Sequence, residues 1–234
     1  MTSWASRVSR EQMHLSLMLV LTFGTGIIDA VGYLGLDRVF TGNMTGNVVI
    51  IGMAAVGADD LPLLGPLLAL AGFLVGATIG GRVLRTATSL WSRRTTLLFA
   101  SVGVTELGLA GALLATGEDP GKAFEITITT LLGAAMGVQA ATARFVAVKD
   151  VTTVVVTSTL TGLAADSVLG SGKGGGSGRR ALAVVLIITG AAVGALLLRW
   201  HLAAGLVLAG GVVLACTLVG AWHDRLVPDP SGQG

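Results

Sequence analysis

The stretch VFTGNMTGNVVIIG, Val39 to Gly52, decides how this chain is read. From Thr41 to Asn47 it sets Thr, Gly, Asn, Thr, Gly and Asn around one Met, and it then runs on as an apolar tail. Inside a spanning helix such a cluster is costly, because lipid offers no hydrogen-bond partners. At the turning point of a segment that enters and leaves on one side, the same cluster can start a half-helix. The rest of the sequence discriminates between these two readings.

The 234 residues are 53% hydrophobic and 12% charged, against roughly 25% charged in an average soluble domain. Mean hydropathy is +0.82. Several runs reach the roughly 20 residues needed to cross the hydrocarbon core, which a buried soluble α/β core does not require. The 35 glycines suit spanning helices that pack closely at small residues. The net charge of +2 carries no basic patch, so no nucleic-acid partner is expected. Cys216 stands alone and excludes an intrachain disulfide. Arg7 and Arg10 precede the first apolar run as in a signal peptide, but that run passes Asp29 without a small-residue cleavage pattern, so a retained signal-anchor helix is expected.

Six spans are expected, at about 14–34, 62–84, 95–116, 123–146, 181–198 and 202–222. Two shorter stretches, 39–57 and 151–169, are broken by Gly, Asn and Thr and follow the charged pairs Asp37-Arg38 and Lys149-Asp150. Cytoplasmic loops collect Lys and Arg. If both short stretches are re-entrant, Arg7, Arg10, Arg82, Arg85, Arg93, Arg94, Lys149, Lys173, Arg179, Arg180 and Arg225 all fall inside, and the acidic ADDLP and GEDPGK loops fall outside. Arg144, late in its helix, faces the inner side, and Arg199 is the exception. If both stretches span, the four-arginine loop moves outside. The re-entrant topology is therefore preferred, with both termini cytoplasmic.

The halves also resemble each other. GIIDAVGYL, NMTGN and a helix with Gly72, Gly76 and Gly80 are followed in the second half by MGVQAATARF, TLTGL and a helix with Gly190 and Gly194. Thr45-Gly46 pairs with Thr161-Gly162, 116 residues on, and Gly72 with Gly190, 118 on, so that Asp29 falls opposite Gln139. The expected fold class is an all-α membrane protein of six transmembrane helices plus two re-entrant half-helices, arranged as two inverted-topology repeats. The repeats occupy 1–116 and 117–222, with a flexible Gly-rich cytoplasmic linker at 170–180 and a tail at 223–234.

In the first repeat LDRVFTGN can descend as extended chain, and a helix from Thr45 to Gly57 can rise back from mid-membrane. In the second, VTTVVVTST is β-branched and suits extended backbone, with LTGLAADSVLG as the short helix. Helix starts present unpaired N–H groups and a partial positive charge. Two such ends meeting would make a pocket for an anion or a carbonyl-bearing solute. Asn43, Thr45, Asn47, Thr159 and Thr161 would supply donors and acceptors, and Gly46 and Gly162 close approach. The alternative is that these residues only cap and pack two short helices.

Asp29 and Glu106 are carboxylates deep in spans, where ionisable groups mark function by default. Asp29 is a candidate for solute binding or proton coupling, or else a partner for backbone N–H groups, Arg38 or Arg144. Glu106 is a candidate coupling site or a structural hydrogen-bonding group, and Gln139 is the neutral counterpart of Asp29 or a packing residue. GSGKGGGSGRR lacks the spacing of a phosphate loop. His14, His201 and His223 do not cluster, so no metal or other cofactor is expected. The Gly72/Gly76/Gly80 stripe packs helices within one chain or between two, the latter giving a homodimer.

GIIDAVGYLGLDRVFTGNMTGNVVIIG and GVQAATARFVAVKDVTTVVVTSTLTGLAAD together resemble the YoaK-like family of small bacterial multi-pass membrane proteins, a family of unknown function. The resemblance covers nearly the whole chain and implies a bacterial inner-membrane location. It supplies no substrate. On the residues themselves the expected function is a secondary transporter of a small polar or anionic solute. A passive channel for a small solute or ion is the alternative, and an intramembrane enzyme finds no nucleophile-base pair. The expected partners are that solute or ion and the lipid bilayer.

Overall fold

The computed structural model describes residues 8–116, 121–146, 156–168, 170–172 and 177–227. Arg7, Lys149, Asp150, Lys173, the extended descent expected at 151–155, most of the GEDPGK loop and the end of the tail lie outside them. Eight helices run in order as α1 (Arg10–Gly35), α2 (Met44–Ala55), α3 (Leu64–Leu84), α4 (Arg93–Thr116), α5 (Lys122–Val146), α6 (Val156–Ala165), α7 (Ser177–Leu197) and α8 (Leu202–Leu226). Among the described residues no strand is present. Six of the helices are long and apolar enough to cross a membrane, and α2 and α6 are not.

Local chemistry explains the helix starts. Ser9 Oγ accepts from Gln12 N–H while Gln12 Oε1 accepts from Ser9 N–H, a reciprocal capping box that begins α1. Asn43 Oδ1 caps Gly46 N–H at 3.3 Å to begin α2, and His201 Nδ1 caps Ala203 N–H at 3.0 Å to begin α8.

Two boundaries around the second short helix differ from expectation. Val156 to Thr159, expected to be extended, form the first turn of α6. Within this helix Thr161 Oγ1 donates back to Thr157 C=O at 2.9 Å, so the β-branched residues are accommodated in helical backbone. At the end of the Gly-rich linker, Ser177 to Arg180 are already helical. Arg180 is tied down by hydrogen bonds to Gly162 C=O and Asp166, at 2.8 and 2.7 Å.

Glycines set the helix pairs. A Cβ on Gly72 would lie 2.4 Å from Thr130 C=O, and one on Gly76 would lie 1.9 Å from Ala134 C=O, so α3 and α5 touch backbone to backbone. The Gly72/Gly76/Gly80 stripe is thus used within the chain. Gly190 and Gly194 of α7 likewise lie against the carbonyls of Phe23 and Ile27 of α1. Rising residue numbers pair with rising numbers in both cases, so α3 runs parallel to α5 and α7 runs parallel to α1.

Two apolar clusters fix the remaining directions. One joins Leu17 and Leu21 of α1, Phe99 and Val102 of α4, Ala143 and Val146 of α5, and Val213 and Cys216 of α8. The other joins Ile27 and Val31, Leu109 and Leu113, Ile128 and Leu132, and Ala203 and Leu206 of the same four helices. Helices α1 and α4 therefore run one way, and α5 and α8 the other. One end of the bundle carries Arg10, Arg82, Arg85, Arg93, Arg94, Arg144, Arg179, Arg180 and Arg225; the other carries Arg38, Lys122 and Arg199 with Asp37, Asp59 and Asp60.

Candidate functional site

After α1 the chain doubles back along the helix it has just left. Leu36 and Val39 N–H both donate to Gly32 C=O, at 3.1 and 3.3 Å. Asp37 and Arg38 adopt left-handed backbone with φ of 57°. A Cβ on Gly32 would lie 2.4 Å from Val39 C=O, so only glycine lets the returning segment lie flat on the helix.

Two side chains then hold this segment. Asp29 Oδ1 accepts from the N–H groups of Thr41, Gly42 and Asn43 at 3.1, 2.7 and 3.2 Å. Asn47, fully buried, accepts from Phe40 N–H at 2.9 Å and donates to Phe40 C=O at 2.6 Å. The N–H groups of residues 40–43 and the C=O of Phe40, which have no helical or strand partners of their own, are thereby paired. Phe40 also stacks on Tyr33, with ring centroids 4.7 Å apart. Gly46 passes under the Phe40 ring so closely that a Cβ would lie 2.6 Å from it.

The result is a cavity of about 480 Å³. Its walls are Thr25, Asp29 and Tyr33 of α1, Phe40 and Gly42 of the returning segment, Asn43, Thr45 and Gly46 at the start of α2, Val156 and Thr157 at the start of α6, and Ile187 of α7. Ile187 is the middle residue of α7, and Thr25 lies about 15 Å from the end of α1 at 1.5 Å per residue. The cavity is therefore near mid-depth, and the N-termini of both short helices open onto it. Its size falls within the range of small-molecule pockets.

Of the expected site residues, the structure brings Asp29, Asn43, Thr45 and Gly46 together on this cavity. The carboxylate meets neither Arg38 nor Arg144 but three backbone N–H groups, and it also lines the void. Asn47 points into the protein and shapes the Phe40 backbone instead. Gln139 is behind the wall. Its Nε2 donates to Thr25 Oγ1 at 3.3 Å, while its Oε1 is buried without a hydrogen-bond partner among the described residues.

The second-half assignments are displaced along α6. Thr159 is buried, Thr161 is exposed and bonded to Thr157 C=O, and Gly162 packs beneath the Arg180 guanidinium; none lines the cavity. Among the described residues α6 is helical from Val156, and the turn of it that lines the cavity is that of Val156 and Thr157. Glu106 is 1% exposed in α4, between Val102 of one apolar cluster and Leu109 of the other, and its Oε2 has no hydrogen-bond partner among the described residues. It does not line the cavity.

Sequence reasoning missed Thr25, Tyr33, Phe40 and Thr157. A signal for the first two was present: Thr25, Asp29 and Tyr33 recur every fourth residue and so share one face of α1. Tyr33 is also the chain's single tyrosine.

Comparison with known proteins agrees with this membrane architecture. The family profile described as "Protein of unknown function (DUF1275)" matches residues 17–219. The chain is 30% identical over 155 residues to "UPF0700 transmembrane protein YoaK" of Bacillus subtilis (strain 168), a match that covers 64% of this chain and 66%, just under two thirds, of that protein. No solved structure matches.

Proposed function

The chain belongs to the DUF1275 family of unknown function, and from its cavity we propose that it is a secondary transporter of a small polar solute. Six apolar helices and a transmembrane relative make it a multi-pass membrane protein. The observation that carries the transport reading is the cavity itself: it lies near mid-depth, between the N-termini of two helices too short to span, and holds a carboxylate. Broken helices whose ends face a midplane site are a recurring construction of secondary transporters.

Packing supports a two-repeat reading. Exchanging α1, α2, α3 and α4 for α5, α6, α7 and α8 turns each helix pairing into another that is also present. The α1/α7 pair becomes α5/α3, α1/α8 becomes α5/α4, α2/α3 becomes α6/α7, and α7/α8 becomes α3/α4, while α4/α8 and α1/α5 map onto themselves. Helices α1 and α5 run in opposite directions, as an inverted repeat requires. The glycine contacts favour a register in which Phe23 and Ile27 answer Thr130 and Ala134. In that register Gln139 stands opposite Gly32, not opposite Asp29.

Helix direction supports the re-entrant reading in the same way. Helix α3 runs opposite to α1, so the connection bearing α2 begins and ends at one end of the bundle. Helix α7 runs opposite to α5, so the connection bearing α6 does the same at the other end. The arginine-rich end would be cytoplasmic, in a bacterial inner membrane.

In this account Asp29, Asn43 and the Thr45 N–H and hydroxyl contact the solute. Asn47 and Gln139 hold the backbone and Thr25 that shape the walls. Asp29 at the site and Glu106 in the apolar interior are the groups available for proton coupling. The test is uptake by proteoliposomes of a solute first found by thermal shift. Saturable uptake that is lost in Asp29→Asn is expected. Flux linear in concentration would instead indicate a channel, and equal stabilisation of wild type, Asn43→Ala and Asp29→Asn would sink this site assignment.

A further inference from the structure

The charges around the cavity identify the class of solute, given the proposal that this is the transport site. Each helix N-terminus contributes roughly half a positive elementary charge, so the starts of α2 and α6 together supply about one. Asp29 brings one negative charge to the same cavity. Its Oδ1 already collects the N–H groups of Thr41, Gly42 and Asn43, which lead into the start of α2. The protein has thus installed its own anion at the helix start, and the remaining void is close to electrically neutral.

Among the polar groups that line the cavity without a hydrogen bond in the described residues are a donor and an acceptor. Asn43 Oδ1 is taken by Gly46 N–H, which leaves the Asn43 amide as a donor. Asp29 Oδ1 is filled by three donors, and Oδ2 has no hydrogen bond among the described residues, which leaves it as an acceptor. Tyr33 and Phe40 are stacked on each other, and both residues line the cavity. A flat solute can extend that stack. Val49, Ile50 and Ile187 add apolar surface to the lining.

We infer that the cavity selects an uncharged planar solute with a carboxamide-type edge, in which a carbonyl accepts from Asn43 and an adjacent N–H donates to Asp29. A carboxylate would meet the Asp29 charge where the N–H groups leading into α2 are already occupied, and a cation would face the helix N-termini. The inference rests on the transport-site reading but is narrower than it.

Benzamide, benzoate and benzamidine have one shape and three charges, and their binding to the purified full-length protein is the test. Benzamide is expected to bind at least about tenfold tighter than benzoate, the scale of a single like-charge contact at partly buried depth. In Asp29→Asn, which keeps the side-chain shape, this preference should shrink or reverse, because the cavity then carries net positive potential. Tyr33→Leu should weaken all three without altering their order. If benzoate or benzamidine binds wild type most tightly, or if none of the three binds, the inference is overturned while the transport reading stands to be judged by flux. Binding that ignores both Asp29→Asn and Tyr33→Leu would overturn the two together.

Discussion

Asn43 and Asn47 show why residue type alone does not assign a role. Four residues apart in the same motif, one caps α2 and faces the cavity, while the other is buried and carries both hydrogen-bonding groups of the Phe40 backbone. Replacing Asn47 by Ala would leave a buried N–H and C=O unpaired at about 1–3 kcal/mol each. Losing the exposed cap in Asn43→Ala costs about 1 kcal/mol. Thermal unfolding in detergent should therefore show the larger loss for Asn47→Ala, whereas solute binding should fall in Asn43→Ala at near wild-type stability. Equal stability losses would contradict this division. From sequence the two look interchangeable, because only the path of the returning chain decides which one meets a backbone. Asp29 was legible as a carboxylate in an apolar span. That it accepts from the polar motif twelve to fourteen residues later became visible only once the chain was folded back.

At the scale of elements, α2 begins within one residue of its expected start at Thr45, since an Asn cap followed by an apolar run is a local signal. Helix α6 was harder. Its β-branched start suits a strand by propensity, yet Val156 to Thr159 are helical, with Thr161 Oγ1 bonded back to Thr157 C=O. Carrying the first motif onto Thr159, Thr161 and Gly162 therefore overshot the helix start. The glycine stripe was legible as a packing face but not as to its partner, because a four-residue spacing is the same whether the other helix belongs to this chain or to a second copy. Since a Cβ on Gly76 would meet Ala134 C=O at 1.9 Å, Gly76→Ala should force α3 from α5 and lower the melting temperature markedly. Gly52→Ala on α2 meets nothing within 4 Å, so it should raise stability by up to about 1 kcal/mol. Melting temperatures that move alike in the two variants would refute this packing.

For the whole molecule, six spans were readable from length and apolarity, and their ends lie within about four residues of expectation because interfacial polar residues mark them. The topology follows from charge and direction together. In a Cys216→Ala background, a membrane-impermeant maleimide applied to intact cells should label Arg38→Cys and Asp60→Cys but not Thr86→Cys. A spanning α2 would separate Arg38 from Asp60, so labelling of only one of them would contradict the re-entrant path. The central claim is that solute passes through the cavity between the starts of α2 and α6, and Thr157 lines that cavity from the second half. Uptake into proteoliposomes, compared for wild type and Thr157→Trp at equal folded protein, tests it most directly. Saturable uptake in wild type and its loss in the filled cavity are predicted. Unchanged uptake in Thr157→Trp would contradict the account.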